Sequence, residues 1–203
     1  MEGTKLHWDK IYTNKSDREV SWFQEKPEIS LKLIDKYTSN DKSILIADIG
    51  GGNSLLTFEL VKKGLSNLYV LDISAKALER NRERVRNAQI KWIECDILKY
   101  NELNNISIWH DRAVLHFLTN QKDIKKYVQV ASNAISTNGY LIIGAFSESG
   151  PDKCSGLPIT QYSEKLLKKT FERDFDLIEC FKETHTTPFK TNQDFIWGVL
   201  RKK

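Results

Sequence analysis

Residues 43–54 read SILIADIGGGNS, and this stretch decides the fold. The run 43–49 is apolar and β-branched, which marks a strand; three glycines at 50–52 follow it at once, and a helical pattern over 54–63 follows the glycines. A strand that enters a helix through a Gly-rich turn is the opening unit of a doubly wound α/β sheet, in which ligands sit outside the carboxyl ends of the strands. Glycines at that turn permit positive φ and let a ligand approach the backbone.

Outward from this turn the alternation continues. Strands are expected at 67–73, 90–97, 107–114 and 140–146, and helices at 75–85 and 122–135. In the last helix Ile124, Tyr127, Val128, Ala131 and Ile135 fall on one face, and Gly139 after Asn138 offers a stop before the next strand. A further helix at 163–171 precedes two strand-like runs, 175–184 and 194–201, joined only by a loop. Such neighbours pair antiparallel, because a parallel pair needs a crossover. The expected architecture is therefore one α/β domain over residues 1–203, its sheet mostly parallel with a C-terminal antiparallel hairpin and helices on both faces. Residues 1–40 carry Trp8, Tyr12, Trp22 and Phe23 ahead of a helix that Pro27 can open, and are read as a helical cap over the sheet's carboxyl edge.

Composition narrows the classes. The chain has 203 residues, 40% hydrophobic and 29% charged, which is a globular balance. It lacks the run of about 20 apolar residues that a membrane helix needs, and MEGTKLHWDK has no signal-peptide character. Cys95, Cys154 and Cys180 are far apart and form no CxxC pair, so reduced thiols, no metal and a cytoplasmic location are expected. The net charge of +4 comes from scattered lysines and from Arg80, Arg82, Arg84 and Arg86. Arginines at every second position spread around a helix, which argues for a solvated surface over a nucleic-acid stripe.

The turn's chemistry is more specific than its glycines. DIGGGNS fits D-x-G-x-G-x-S and not the G-x-G-x-x-G of dinucleotide sites. Asp48 at the strand end would repel a pyrophosphate, yet can accept hydrogen bonds from an ammonium group, which favours a cofactor with an amino-acid end. Asp72, closing the second strand in YVLDIS, is placed for a ribose diol. Asp96, closing the third in WIECDIL, can reach an adenine amine.

With these residues the chain resembles the class I S-adenosylmethionine (SAM)-dependent methyltransferases, through ADIGGGNS, YVLDIS, ECDI, IWHDRAVLHFL and NGYLIIGAF. The resemblance implies a Rossmann-like sheet and SAM as cofactor. Asp48, Gly50 and Gly52 would hold its methionine end, Asp72 the ribose and Asp96 the adenine. Gly51, Asn53, Ile73, Ile97 and Asp111 complete the expected cofactor contacts, with Tyr12 and Trp22 as a lid or, alternatively, as a staple for the first helix. Ser54 stands where the family often has a third glycine. Trp8-x-x-x-Tyr12 with Gly52-Asn53-Ser54 is similar to elongation-factor lysine methyltransferases. CSGL and H-x-T-P-x-x-x-x-Q are similar to a bacterial group of small methyltransferases.

Acceptor residues are expected at the later strand ends. His110, Asp111 and His116 can supply a base, with His185 a further catalytic candidate, and Arg112 can bind an anionic substrate; alternatively Asp111 and Arg112 form an internal ion pair and His116 packs in the core. Cys154, Tyr162 and Gln193 lie in loops suited to substrate contact, although Cys154 also reads as an inert thiol. The leading expectation is methyl transfer to an oxygen, nitrogen or sulfur of a small molecule. Protein lysine methylation and non-catalytic SAM binding stand as alternatives, with no membrane partner and nucleic acid disfavoured.

Overall fold

The computed structural model describes residues 2–39, 41–85 and 89–203, so Arg86 of the arginine cluster lies outside the described residues. The chain opens with helix α1 (Glu2–Asn14), a 3-10 turn (Asp17–Glu19) and helix α2 (Glu28–Thr38), which starts after Pro27. Strand β1 (Ile46–Ile49), helix α3 (Leu56–Lys62), strand β2 (Leu68–Asp72), helix α4 (Ala75–Arg84) and strand β3 (Ile90–Glu94) form the first half of the sheet. The second half is strand β4 (Ile106–Arg112), a 3-10 turn (Leu115–Phe117), helix α5 (Gln121–Ala134) and strand β5 (Ile135–Phe146). A two-residue ladder of β6 (Lys153–Cys154) with β7 (Leu157–Pro158) follows, then helix α6 (Glu164–Phe171) and strands β8 (Phe175–Thr186) and β9 (Asn192–Lys202).

Seven strands make one sheet in the order β3-β2-β1-β4-β5-β9-β8. The first five run parallel, while β9 pairs antiparallel with both β5 and β8. The expected mostly parallel sheet with a terminal hairpin is thus what forms. Between β1 and β4 the connection direction reverses, and that is where an open α/β sheet leaves a crevice at its carboxyl edge.

Two apolar layers sandwich the sheet. Ala47, Trp109, Leu141 and Ile143 pack against Tyr127 and Ala131 of α5 and Phe171 of α6. Ile46, Ile108, Ile142 and Trp197 pack against Leu31 and Ile34 of α2 and Leu56 and Leu60 of α3. Since side chains alternate along a strand, Asp48, His110 and Arg112 share the α2/α3 face, and Asp111 belongs to the α5 face.

Several boundaries move for local reasons. β4 stops at Arg112, short of 114, because Ala113 adopts φ 78° and the Val114 N–H is drawn to Asp111 Oδ1 at 2.8 Å. β3 stops at Glu94, short of 97, where Asp96 Oδ1 accepts the Leu98 N–H at 3.0 Å and closes a side-chain turn. The stop expected at Asn138-Gly139 is instead a kink inside β5, whose pairing begins at Ile135 directly after the helix. Asn138 has φ 65°, and a Cβ on Gly139 would sit 2.9 Å from the Ser136 carbonyl and 3.0 Å from that of Ile106.

Helix α1 is tied to the ends of the neighbouring elements at several points. Ser74, which caps α4, donates from Oγ to Asp9 Oδ1 at 2.7 Å, and Lys5 pairs with Glu94 at 3.1 Å. No helix among the described residues is long and apolar enough to cross a membrane.

Candidate active site

The glycine turn leaves β1 with Gly50 at φ 67° and Gly52 at φ 41°. A Cβ on Gly50 would collide with Val114 Cγ2, and one on Gly52 would come 2.9 Å from Asp72 Oδ2 and 3.0 Å from the Tyr12 hydroxyl. Both positions therefore need glycine for backbone conformation and for space. The turn borders a main cavity of about 250 Å³ and, on its other side, a smaller one of about 50 Å³.

Three acids meet the cavities, Asp48 and Asp72 from the ends of β1 and β2 and Asp96 from the turn after β3. Asp48 is buried; its Oδ1 lies 2.8 Å from His110 Nδ1, while its Oδ2 is buried with no partner. His110 Nε2 is 2.9 Å from Ser30 Oγ, so this histidine braces Asp48 from α2 and is not a free base. Asp72 lies in the main cavity, its Oδ1 accepting the Ser74 N–H at 2.8 Å. Burial raises its pKa to about 7, with backbone N–H donors opposing and the Asp48 charge adding to the rise. Asp96 lines the same cavity, beside Ile73 and Ile97.

An orphaned buried carboxylate oxygen at Asp48 is what an ammonium group would satisfy, since an unpaired polar atom in that position is costly. With Asp72 and Asp96 beyond it and a glycine cradle between, the donor set fits the methionine end, ribose and adenine of SAM in turn.

A roof of aromatic rings borders the cavities. Trp8 stands edge-on to Trp22 and to Phe117 at ring separations of 5.7 and 5.2 Å, and Tyr12 is edge-on to Trp22 at 6.2 Å. Tyr12 is buried, which raises its hydroxyl pKa well above normal, and both Tyr12 and Trp22 line the two cavities. The segment bearing Trp22 is held on two flanks. Towards α4, Asp17 accepts from Asn53 Nδ2 at 2.6 Å and pairs with Arg84. Towards β4 and β8, Arg112 Nη1 donates to the Trp22 carbonyl at 3.0 Å, and His185 Nε2 lies 2.8 Å from the Ser21 carbonyl. Asn53 itself borders the smaller cavity, as does Gly51.

The acceptor candidates separate on inspection. Asp111 is a correction: it points to the α5 face, fully buried, and accepts hydrogen bonds from the Tyr127 hydroxyl and from the N–H groups of Val114 and Leu115. It caps the 3-10 turn and touches neither cavity, and it forms no ion pair with Arg112. Burial raises its pKa to about 6, against the lowering effect of the Tyr127 hydroxyl. His116 lies where the core-packing alternative puts it: its ring is fully buried, stacked on Phe146 at 4.5 Å, with neither nitrogen partnered. Burial first, and the nearby Arg112 charge second, push its pKa down to about 3, so it is a neutral core ring behind the cavity wall. His185 serves the roof as described, its pKa lowered chiefly by burial. Tyr162 is a core residue on the α5 face, and Gln193 sits in the β8–β9 ladder; neither borders a cavity.

Cys154 does line the main cavity, with burial pushing its thiol up to about 11, so it is a neutral wall group. Arg112 borders the smaller cavity and stands 4.9 Å over the Phe195 ring. Reading the sequence missed Phe117, Phe146, Phe195 and Val114 as cavity walls and Ser30 as the brace of His110. No group of three or more His, Cys, Asp or Glu that could hold a metal ion occurs among the described residues.

Comparison with known proteins agrees with this geometry. Residues 40–193 match a family model described as a methyltransferase domain. Among curated proteins the chain is similar to EEF1A lysine methyltransferase 2 of Mus musculus, at 26% identity over 162 residues, covering 70% of this chain and 64% of that protein. The zebrafish (Danio rerio) protein of the same name is 27% identical over 158 residues, covering 70% of this chain and 67% of its own length. The chain thus spans about two thirds of these relatives. Among solved structures, one from work on conversion of a disulfide bond into a thioacetal group during echinomycin biosynthesis superposes with TM-score 0.79 at 15% identity, covering 98% of this chain and 93% of that one. The N-methyltransferase NodS of Bradyrhizobium japonicum WM9, solved with S-adenosyl-L-homocysteine, gives TM-score 0.73 at 16% identity, covering 98% of both chains. The family match over residues 40–193 makes the chain a member of the methyltransferase domain family, with SAM as its methyl donor.

Proposed function

We propose that the enzyme methylates an oxygen, nitrogen or sulfur of a small molecule held under the aromatic roof. The carrying observation is the make-up of the acceptor side of the main cavity, which is walled by Trp8, Phe117, Phe146, Phe195 and Cys154. Among the described residues the acids lining it are Asp72 and Asp96, on the donor side, and Asp123, whose carboxylate is bound by Asn120 Nδ2 at 2.6 Å. A lysine ammonium entering this space would meet one carboxylate outside the donor side, Asp123, with one oxygen already shared with Asn120, among walls that are otherwise apolar or neutral, and burying a poorly paired charge is disfavoured.

Bound in this site, SAM supplies an electrophilic methyl group on a sulfonium. The protein's own part is alignment and exclusion of water. Asp48 receives the ammonium, Asp72 and Asp96 fix the nucleoside, and the glycine turn allows close approach. Trp8, Tyr12 and Trp22 keep solvent out. With His110 engaged, His116 neutral and off the cavity, and His185 tied to the roof, no side chain is assigned as a base. The acceptor therefore arrives as a nucleophile that needs little proton removal.

A second reading, protein lysine methylation, draws on the similarity to EEF1A lysine methyltransferase 2. Incubating the enzyme with methyl-labelled SAM and cell extract separates the two. Label in a low-molecular-mass fraction is expected, and label confined to a protein band would overturn the small-molecule reading.

A further inference from the structure

Asp111 is a fully buried carboxylate with no ion-pair partner among the described residues, and the chemistry of methyl transfer makes no direct use of it. Taking a charge out of water without a counter-ion is costly unless hydrogen bonds replace the lost hydration. Here they do. Oδ1 accepts the Val114 N–H at 2.8 Å, while Oδ2 accepts the Leu115 N–H at 3.1 Å and the Tyr127 hydroxyl; that hydroxyl in turn accepts from Trp109 Nε1 at 2.9 Å. The donors come from two directions, the backbone just beyond β4 and the side of α5. Hydrogen bonds to an ionised acceptor are shorter and stronger than neutral ones, so this set holds the backbone more tightly than an ordinary cap.

What it holds is the segment Ala113–Leu118, of which Ala113, Val114, Phe117 and Leu118 line the main cavity. Ala113 sits at φ 78°, a left-handed conformation that a residue with a Cβ keeps only where its surroundings impose it. Val114 Cγ2 fills the space that a Cβ on Gly50 would need, so the first residue anchored by Asp111 is packed against the glycine turn. Phe117 stands edge-on to Trp8 of the roof at 5.2 Å. One short segment thus meets the donor's cradle on one side and the roof on the other. Its far end is clasped separately: Thr160 donates its N–H to the His116 carbonyl at 2.7 Å and its Oγ1–H to the Leu118 carbonyl at 3.0 Å. The near end rests on Asp111.

We propose that Asp111, through the Val114 and Leu115 N–H groups and the Tyr127 hydroxyl, is a positioning residue that sets the wall Ala113–Leu118 against the glycine turn and so sets the fit of the methyl donor without touching it. The assignment concerns the donor, and it holds for a small-molecule or a protein acceptor alike.

The test titrates the full chain calorimetrically with S-adenosylhomocysteine, well below each variant's melting temperature. Asp111→Asn keeps a carbonyl oxygen for the Val114 N–H but sets an amide NH2 against the remaining donors; Asp111→Ala removes every acceptor; Tyr127→Phe removes the donor from α5. Phe171→Leu, in the same apolar layer and off both cavities, controls for lost stability alone. The expected result is graded: binding about 3- to 10-fold weaker in Asp111→Asn and in Tyr127→Phe, and about 10- to 100-fold weaker in Asp111→Ala, the range for charged hydrogen bonds. Affinity in Phe171→Leu stays within about twofold of wild type even where its melting temperature falls as far. Recovery of affinity from Asp111→Ala to Asp111→Asn marks the grip on Val114; if Asp111→Ala does not fold, the two milder variants and the control carry the test. Affinity at the wild-type level in both Asp111→Asn and Tyr127→Phe would overturn the proposal. So would an equal loss in Phe171→Leu at the same melting temperature, which would make Asp111 a stabiliser of the fold at large.

Discussion

Replacing Asp72 with asparagine should stabilise the ligand-free protein while weakening its hold on the donor. The carboxyl is 8% exposed at the end of β2, and burial, with Asp48 as a secondary cause, raises its pKa from 3.8 to about 7. Between pH 4 and pH 7 the unfolded chain has released this proton and the folded one still holds it. Stability must therefore fall as pH rises through that window, with the full loss reached above about pH 7. The difference of about 7 and 3.8 is roughly three units, which at about 1.4 kcal/mol each sets an upper bound near 4 kcal/mol. Solvent reaching the cavity softens this to about 2 kcal/mol. Asparagine keeps the Oδ1 acceptor for the Ser74 N–H and has no charge to bury. For a chain of 203 residues that is a rise in Tm of about 4–8 °C at pH 8. Thermal denaturation of both proteins from pH 4.5 to 8.5 measures it, because groups common to the two cancel in the difference. The gap should open with pH and level off above pH 7.5. In calorimetry the same variant should bind S-adenosylhomocysteine about 10- to 100-fold more weakly, from lost charged hydrogen bonds. A Tm gap independent of pH, or a variant less stable than wild type at pH 8, refutes the burial argument; unchanged affinity removes Asp72 from the donor site.

Asp48→Ala should lower affinity for S-adenosylhomocysteine more than tenfold but leave that for 5′-methylthioadenosine, which lacks the amino-acid end, nearly unchanged; equal losses for both ligands would show a folding defect instead of a lost ammonium contact. Gly50→Ala meets Val114 and a φ of 67°, so it should cost about 1–3 kcal/mol in denaturant unfolding and abolish donor binding, and a near-neutral result would contradict the tightness of the turn. His116→Phe replaces a ring with two unpartnered nitrogens by one that can keep the stack on Phe146; stability should hold or rise by about 1 kcal/mol, and methyl transfer from labelled SAM in cell extract should stay within about twofold. A collapse of turnover with donor binding intact would restore His116 as a base.

The donor half of this site was legible because its information is local. A strand, its terminal acid and its glycines are contiguous at Asp48–Gly52, Asp72 ends β2, and Asp96 follows two residues after β3. The acceptor half was not, because its placement depends on sheet register. Asp111 and Arg112 are adjacent in sequence, yet the period of two sends one towards Tyr127 and the other towards Phe195. Phe146 and Phe195 are 49 positions apart and become neighbours only through the β5–β9 ladder, which pairs them directly. Among the histidines, nothing in the sequence distinguished the brace at His110 from the core ring at His116, since the difference lies in whether Ser30 and Asp48 come within reach. The N-terminal aromatics carried a partial signal. Trp8 and Tyr12, four residues apart on α1, turn the same face to the cavities.

The two flanks of the roof differ in kind, and that gives the enzyme an uneven door. On the α4 side Asp17 is gripped by arginine charges near the surface, where dissolved ions within a screening length of about 8 Å weaken the hold. On the other side the backbone of Ser21 and Trp22 hangs from His185 and the sheltered Arg112, which salt scarcely reaches. Ionic strength then acts as a hand on the latch and leaves the hinge alone: release of donor product, followed by stopped-flow displacement, should quicken with added salt while the fold keeps its melting temperature.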